Sequence, residues 1–142
     1  MKKSVIKNWN LLIDPAKTRQ ILENITSDAE NCGCLFCKNF VAARNEAYPT
    51  WFLSVFDELA IDYKKDIHTC HTTELKEGLH LYQIDYYFSG KIVSSPGEKN
   101  VIDMDSFAFN INDKLLYRRN EFPPPALVLE CFPLVPWVIN EE

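Results

Sequence analysis

Glycine is scarce in this sequence, four residues among 142, and no two of them lie close together. Both kinds of phosphate-cradling nucleotide loop need clustered glycines, so both are excluded, and neither HExxH nor GxSxG occurs. The familiar hydrolase, kinase and dehydrogenase chemistries lose support, and the chain leans away from catalysis.

Positive charge is also short. Fifteen Lys and Arg stand against twenty Asp and Glu, a net charge of −5 that repels phosphate backbones and anionic lipid. The basic pieces (Lys2, Lys3 and Lys7; Lys64 and Lys65; Arg118 and Arg119) are scattered, with no basic stripe interleaved with stacking aromatics. Neither a nucleic acid nor a membrane is expected as a partner. No window comes near the roughly eighteen consecutive apolar residues of a membrane span. The opening MKKSVIKNWNLLIDP starts like a signal peptide, but Lys7, Asn8 and Asn10 break its apolar stretch and no small-residue cleavage site follows. A cytoplasmic location is expected.

What the chain does have is core-forming material, with 46% hydrophobic residues and 13% aromatics. The length suits one domain over residues 1–142. Asp14 and Pro15 supply an N-cap and a first-turn proline, and Ile21, Leu22 and Ile25 recur at helical spacing, so a helix is expected over 15–25. Phe36, Phe40, Ala43 and Ala47 share a face in a second helix, and Pro49 opens a third that carries Trp51, Phe52, Val55, Phe56 and Leu59. The helical part thus runs over about 15–61. Periodicity does not decide residues 4–13.

A sheet part over about 67–139 follows, where the period changes to two. In LHLYQIDYYF, His80, Tyr82, Ile84, Tyr86 and Phe88 point one way, and SGK reads as a turn into residues 91–94. SSPGEKN reads as a loop, FAFNI places Phe107, Phe109 and Ile111 on one face, and ALVLECF is the most strand-like run. The three prolines at 123–125 form an extended connector, and PLVPWVI is a proline-punctuated tail. The expected fold is α+β, N-terminal helices packed on an antiparallel β-meander sheet.

The segment CGCLFCKNF holds three cysteines within six positions. Five cysteines are an odd number, and without an export signal reduced thiols are the default. Zinc in a structural site takes four ligands, and Cys32, Cys34 and Cys37 offer three. The fourth falls to Cys70 or His71 of HTCH if that segment lies against the front of the cysteine helix; Cys131, in an apolar strand, is a weaker candidate. A dithiol centre is the next reading, since Cys34 at a helix N-terminus would have a lowered pKa, but the strand that precedes a thioredoxin-like CxxC is missing. The third reading is that cysteine is a small buried hydrophobe. The sequence alone favours this last, then metal, then redox, and Cys34 suits it least.

Among other candidates, His68 and His71 flank Cys70 in a tetrapeptide too short for a good nucleophile–base pair. His80 reads as a hydrogen-bonded histidine at the core edge. Glu130 interrupts an apolar run and would be a general base if buried, yet alternation turns it to solvent or toward Arg118 or Arg119. Asp103 and Asp105 in DMDS read as turn chemistry.

CGCLFCKNF, AYPTWFLSVFDELAID and LECFPLVPW together resemble a group of small bacterial proteins that share a CxCxxCxNF segment. The resemblance implies a bacterial cytosolic origin and a shared fold; it implies no activity, ligand or catalytic residue. The function expected from the sequence is a non-catalytic binding or interaction module with an acidic surface, suited to a basic protein partner and needing no cofactor. The alternatives are a zinc-binding protein using the CxCxxC cluster and a thiol-redox protein.

Overall fold

A computed structural model describes residues 1–96, 102–104 (backbone only), 107–117 and 121–140. Arg118, Arg119, Asp105 and part of the SSPGEKN loop lie outside the described residues, as does the side chain of Asp103.

The chain runs β1 (Lys2–Ile6), β2 (Trp9–Ile13), α1 (Pro15–Leu22), α2 (Asp28–Cys32), α3 (Leu35–Ala43), a 3-10 turn (Arg44–Glu46), α4 (Thr50–Leu59), β3 (His68–Lys76), β4 (Leu79–Ser94), β5 (Ile102–Met104), β6 (Phe107–Asn112), β7 (Ala126–Phe132) and β8 (Leu134–Pro136). Helices and an antiparallel sheet make it an α+β protein. The undecided residues 4–13 prove to be strand. Ile6 pairs with Trp9 across a two-residue turn in which Lys7 takes φ 51°, so a hairpin precedes the first helix.

The sheet has eight strands in the order β1-β2-β4-β7-β6-β5, with β3 and β8 also paired to β4. It is a meander only in part, because β4 takes β7 and not β5 as its neighbour. Sixteen residues long, β4 is the axis of the molecule. Leu79–Asp85 pair with β3, Ile84–Ser89 with β7 and Gly90–Ser94 with β2. Where β3 has ended and β2 has not yet begun, α1 completes the edge. Thr18 Oγ1 accepts from Ser89 N at 2.8 Å, and Asp14 N donates to Ser89 O at 3.0 Å. This use of its hydroxyl explains why Thr18 is fully buried.

The expected turn at SGK is absent, since Ser89, Gly90 and Lys91 continue β4. Gly90 is there for close approach: a Cβ on it would meet Leu12 O at 2.7 Å. Alternation elsewhere in β4 follows the sequence, with Tyr82, Ile84, Tyr86 and Phe88 all fully buried. Their ring faces meet aromatics of the helical part: Phe56 lies 5.0 Å from Tyr86 and Phe40 lies 5.7 Å from Tyr82. From α4, Phe52 reaches Phe107 at 4.5 Å and Phe109 at 5.1 Å. Offset and edge-on aromatic contacts of this kind add to the burial of apolar area that holds the layers together.

Candidate metal centre at the α2–α3 junction

Cys32 ends α2, Gly33 turns the chain, and Cys34 is the N-cap of α3. Gly33 takes φ 74°, which a residue with a side chain adopts only at a cost, and the sharp turn brings the two helix ends together. Cys37 sits one turn into α3 on its buried side. The three Sγ atoms consequently lie within 4.8 Å of one another. No disulfide links them.

Electrostatics separates the three thiols. Cys34 Sγ accepts from Cys37 N at 3.4 Å, and this backbone donor is the main reason its pKa is lowered, with Cys32 contributing and burial opposing. Burial first, then the neighbouring Cys34 and Cys32, push the Cys37 thiol well above the usual range. Cys32 and Cys34 are exposed while Cys37 is buried. The small-hydrophobe reading accounts for Cys37, and for Cys131 deep in β7, but not for the exposed Cys32, Cys34 and Cys70.

Three anchors fix this junction to the sheet. Asp66, fully buried just before β3, accepts from Ser27 Oγ at 2.5 Å, from Ala29 N at 3.0 Å and from Thr69 Oγ1. Asp66 O takes Asp28 N as well, so one residue holds the start of α2. At α3, Tyr82 Oη donates to Phe36 O at 2.7 Å. Asn39 then clamps the tail, donating to Pro136 O at 3.1 Å and accepting from Val138 N at 2.8 Å. Arg44 Nη2 adds a contact to Glu30 Oε2 at 2.7 Å, across from the end of α3 to α2.

HTCH does come to the cysteine helix, as part of β3. The His71 ring stacks on Phe36 with centroids 3.9 Å apart. Its Nε2 is paired with His80 Nδ1 at 2.8 Å, and burial first, then His80, lower its pKa, with Glu74 opposing. Among the described residues the close group of metal-ligating atoms comprises Cys32, Cys34 and Cys37, without Cys70 or His71. Cys70 is exposed, and its thiol donates to His71 O at 3.6 Å. His80 is the buried, hydrogen-bonded core-edge residue expected of it. His68 stacks on Tyr117 at 3.8 Å and is not part of the close group of metal-ligating atoms.

Sequence reasoning missed α2, although SDAE is a capping-box pattern and Glu30 N does donate to Ser27 Oγ at 3.2 Å. It also missed Asp66, whose partners in and before α2 lie 37 to 39 residues away, and Asn39, whose partners lie 97 to 99 residues away. No short-range pattern could have revealed them.

Among the described residues no helix is long and apolar enough to cross a membrane. No protein-family model, curated protein or solved structure matches this chain.

Proposed function

We propose that this protein binds a thiophilic metal ion, zinc foremost, through Cys32, Cys34 and Cys37. The observation that carries the reading is the approach of three Sγ atoms to within 4.8 Å at a junction held by distant parts of the fold. Zinc–sulfur bonds of about 2.3 Å in a tetrahedron set sulfurs roughly 3.8 Å apart, so a contraction of about 1 Å completes the trio. Binding displaces the proton that Cys37 retains, which makes uptake pH-dependent. With Cys32 and Cys34 exposed, the fourth position opens to solvent, and water or an incoming side chain fills it. His71, whose Nε2 is committed to His80, would serve through Nδ1 or by giving up that contact.

Cobalt(II) titration under reducing conditions tests the reading. Thiolate-to-cobalt charge transfer should appear at one equivalent and fall stepwise in Cys32→Ser, Cys34→Ser and Cys37→Ser. A wild-type spectrum without thiolate bands defeats it.

One observation favours a second reading. An exposed thiol of lowered pKa beside a buried one of raised pKa is the division of labour of an attacking and a resolving cysteine, and it fits a dithiol–disulfide couple at Cys34 and Cys37. Rapid, selective alkylation of Cys34 at neutral pH with no metal bound would move the assignment there. An interaction module with a basic partner is supported by the net charge of −5; of the aromatics that could furnish its contact surface, Trp9 and Tyr82 are fully buried, Trp51 and Trp137 half-buried and Tyr117 exposed.

A further inference from the structure

Where β4 passes the proline connector, the structure opens into a cavity of about 600 Å³, a volume in the range of small-molecule sites. Among the described residues its walls are Lys91 and Ile92 of β4, Asp113 and Leu115 after β6, and Phe122 with the three prolines that lead into β7. Ile92, Leu115, Phe122 and the proline rings make the lining largely apolar. Proline carries no N–H, so the connector presents ring methylenes and no backbone donor.

Three tethers fix these walls. Gly90 N donates to Pro125 O at 3.1 Å, which ties the connector to β4. Tyr87 Oη donates to Tyr117 O at 2.8 Å and accepts from Tyr117 N at 2.9 Å, and the buried Phe122 ring stands edge-on to Tyr87 at 5.8 Å. Asn112 sets the turn that carries Asp113: its Oδ1 accepts from Lys114 N at 2.8 Å, and its Nδ2 donates to Oε1 of the half-buried Glu130 at 2.9 Å.

Two charges of opposite sign line this space. Among the described lining residues Lys91 is the one cation and Asp113 the one anion, and both are exposed. They do not pair with each other, and among the described residues neither side chain forms an ion pair or a hydrogen bond. An apolar lining with two unspent, opposite charges complements a molecule that carries both charges on an apolar body. A plain carboxylate would be repelled by Asp113, and a plain amine by Lys91.

We propose that this cavity binds a free α-amino acid with a large apolar side chain, its carboxylate on Lys91, its ammonium on Asp113 and its side chain against Leu115, Phe122 and the proline rings. Ion pairs at exposed groups contribute little, so binding should be weak, with a dissociation constant of about 0.1 to 10 mM. The site shares no residue with the thiolate centre.

A proton–nitrogen correlation spectrum of the full chain, titrated with L-phenylalanine and with L-leucine, tests the site. Saturable shifts are expected at the amides of Gly90, Lys91, Asp113 and Ala126. Phenylalaninamide, which lacks the carboxylate, and N-acetylphenylalanine, which lacks the ammonium, should each bind more weakly by about threefold or more. Lys91→Gln and Asp113→Asn should weaken phenylalanine binding by a similar factor, and spectra unchanged elsewhere show that both variants fold. Cys32→Ser should bind phenylalanine as the wild type does, which separates this site from the thiolate centre. No saturable shift at these amides by about 20 mM amino acid, equal affinity for the blocked analogues, or equal affinity in both folded variants overturns the proposal.

Discussion

Tyr82 Oη donates to the carbonyl of Phe36 at 2.7 Å, tying the first turn of the cysteine helix to the central strand of the sheet. Tyr82 is fully buried, so this contact fixes where Cys37, one residue beyond Phe36, sits relative to the core. Removing the hydroxyl in Tyr82→Phe should lower stability by about 1 kcal/mol in urea unfolding of the metal-free protein. Metal should also dissociate faster from the loaded variant, as a less firmly placed thiolate predicts. An unchanged release rate would mean that α3 is positioned by its other contacts.

Asp66 should be more costly to alter. It receives Ser27 Oγ, Ala29 N and Thr69 Oγ1 in a fully buried setting. Asp66→Ala leaves these donors without an acceptor and should cost about 3 kcal/mol or more. Hydrogen exchange should show α2 amides losing protection before those of β4.

Gly90 distinguishes a turn from a close crossing. A turn glycine with negative φ tolerates alanine, whereas here the added Cβ would meet Leu12 O at 2.7 Å. Gly90→Ala should therefore destabilise by about 1–3 kcal/mol, the usual cost of overpacking, and the loss should appear as weaker protection of the β1–β2 hairpin.

Asp85 gives the fold a pH dependence of defined sign. Burial, with Glu130 adding and Gln83 and His68 opposing, pushes its carboxyl from 3.8 up to about 6. Between these values the folded protein holds a proton that the unfolded chain has released, so stability falls as pH rises through this window and levels off above it. In chelator, denaturation midpoints measured from pH 3.5 to pH 7 should show this decline in the wild type and lose it in Asp85→Asn.

Much of this could be read from the residues in order. Asp14 and Pro15 announced α1, the alternation of Tyr82, Ile84, Tyr86 and Phe88 announced the buried face of β4, and the position of Cys34 announced its lowered pKa. These are local signals, carried by neighbours within a few positions. Gly90 misled because a glycine after a serine favours a turn locally, while the approach of Leu12 that requires it comes from 78 residues earlier. The Lys7–Asn8 hairpin was hidden by a positive φ at a lysine, an unfavoured residue for it. Asp66 and the His68–Asp85–Glu130–Asn110 row depend on strand register, which is settled by the whole core.

The most direct measurement is the metal content of untagged protein purified under reducing conditions, taken together with its count of free thiols. About one equivalent of zinc is expected, with two accessible thiols, or fewer, in the native protein and all five after denaturation in chelator. Less than about 0.2 equivalents of any transition metal, with Cys32 and Cys34 reacting freely as ordinary thiols, would contradict it.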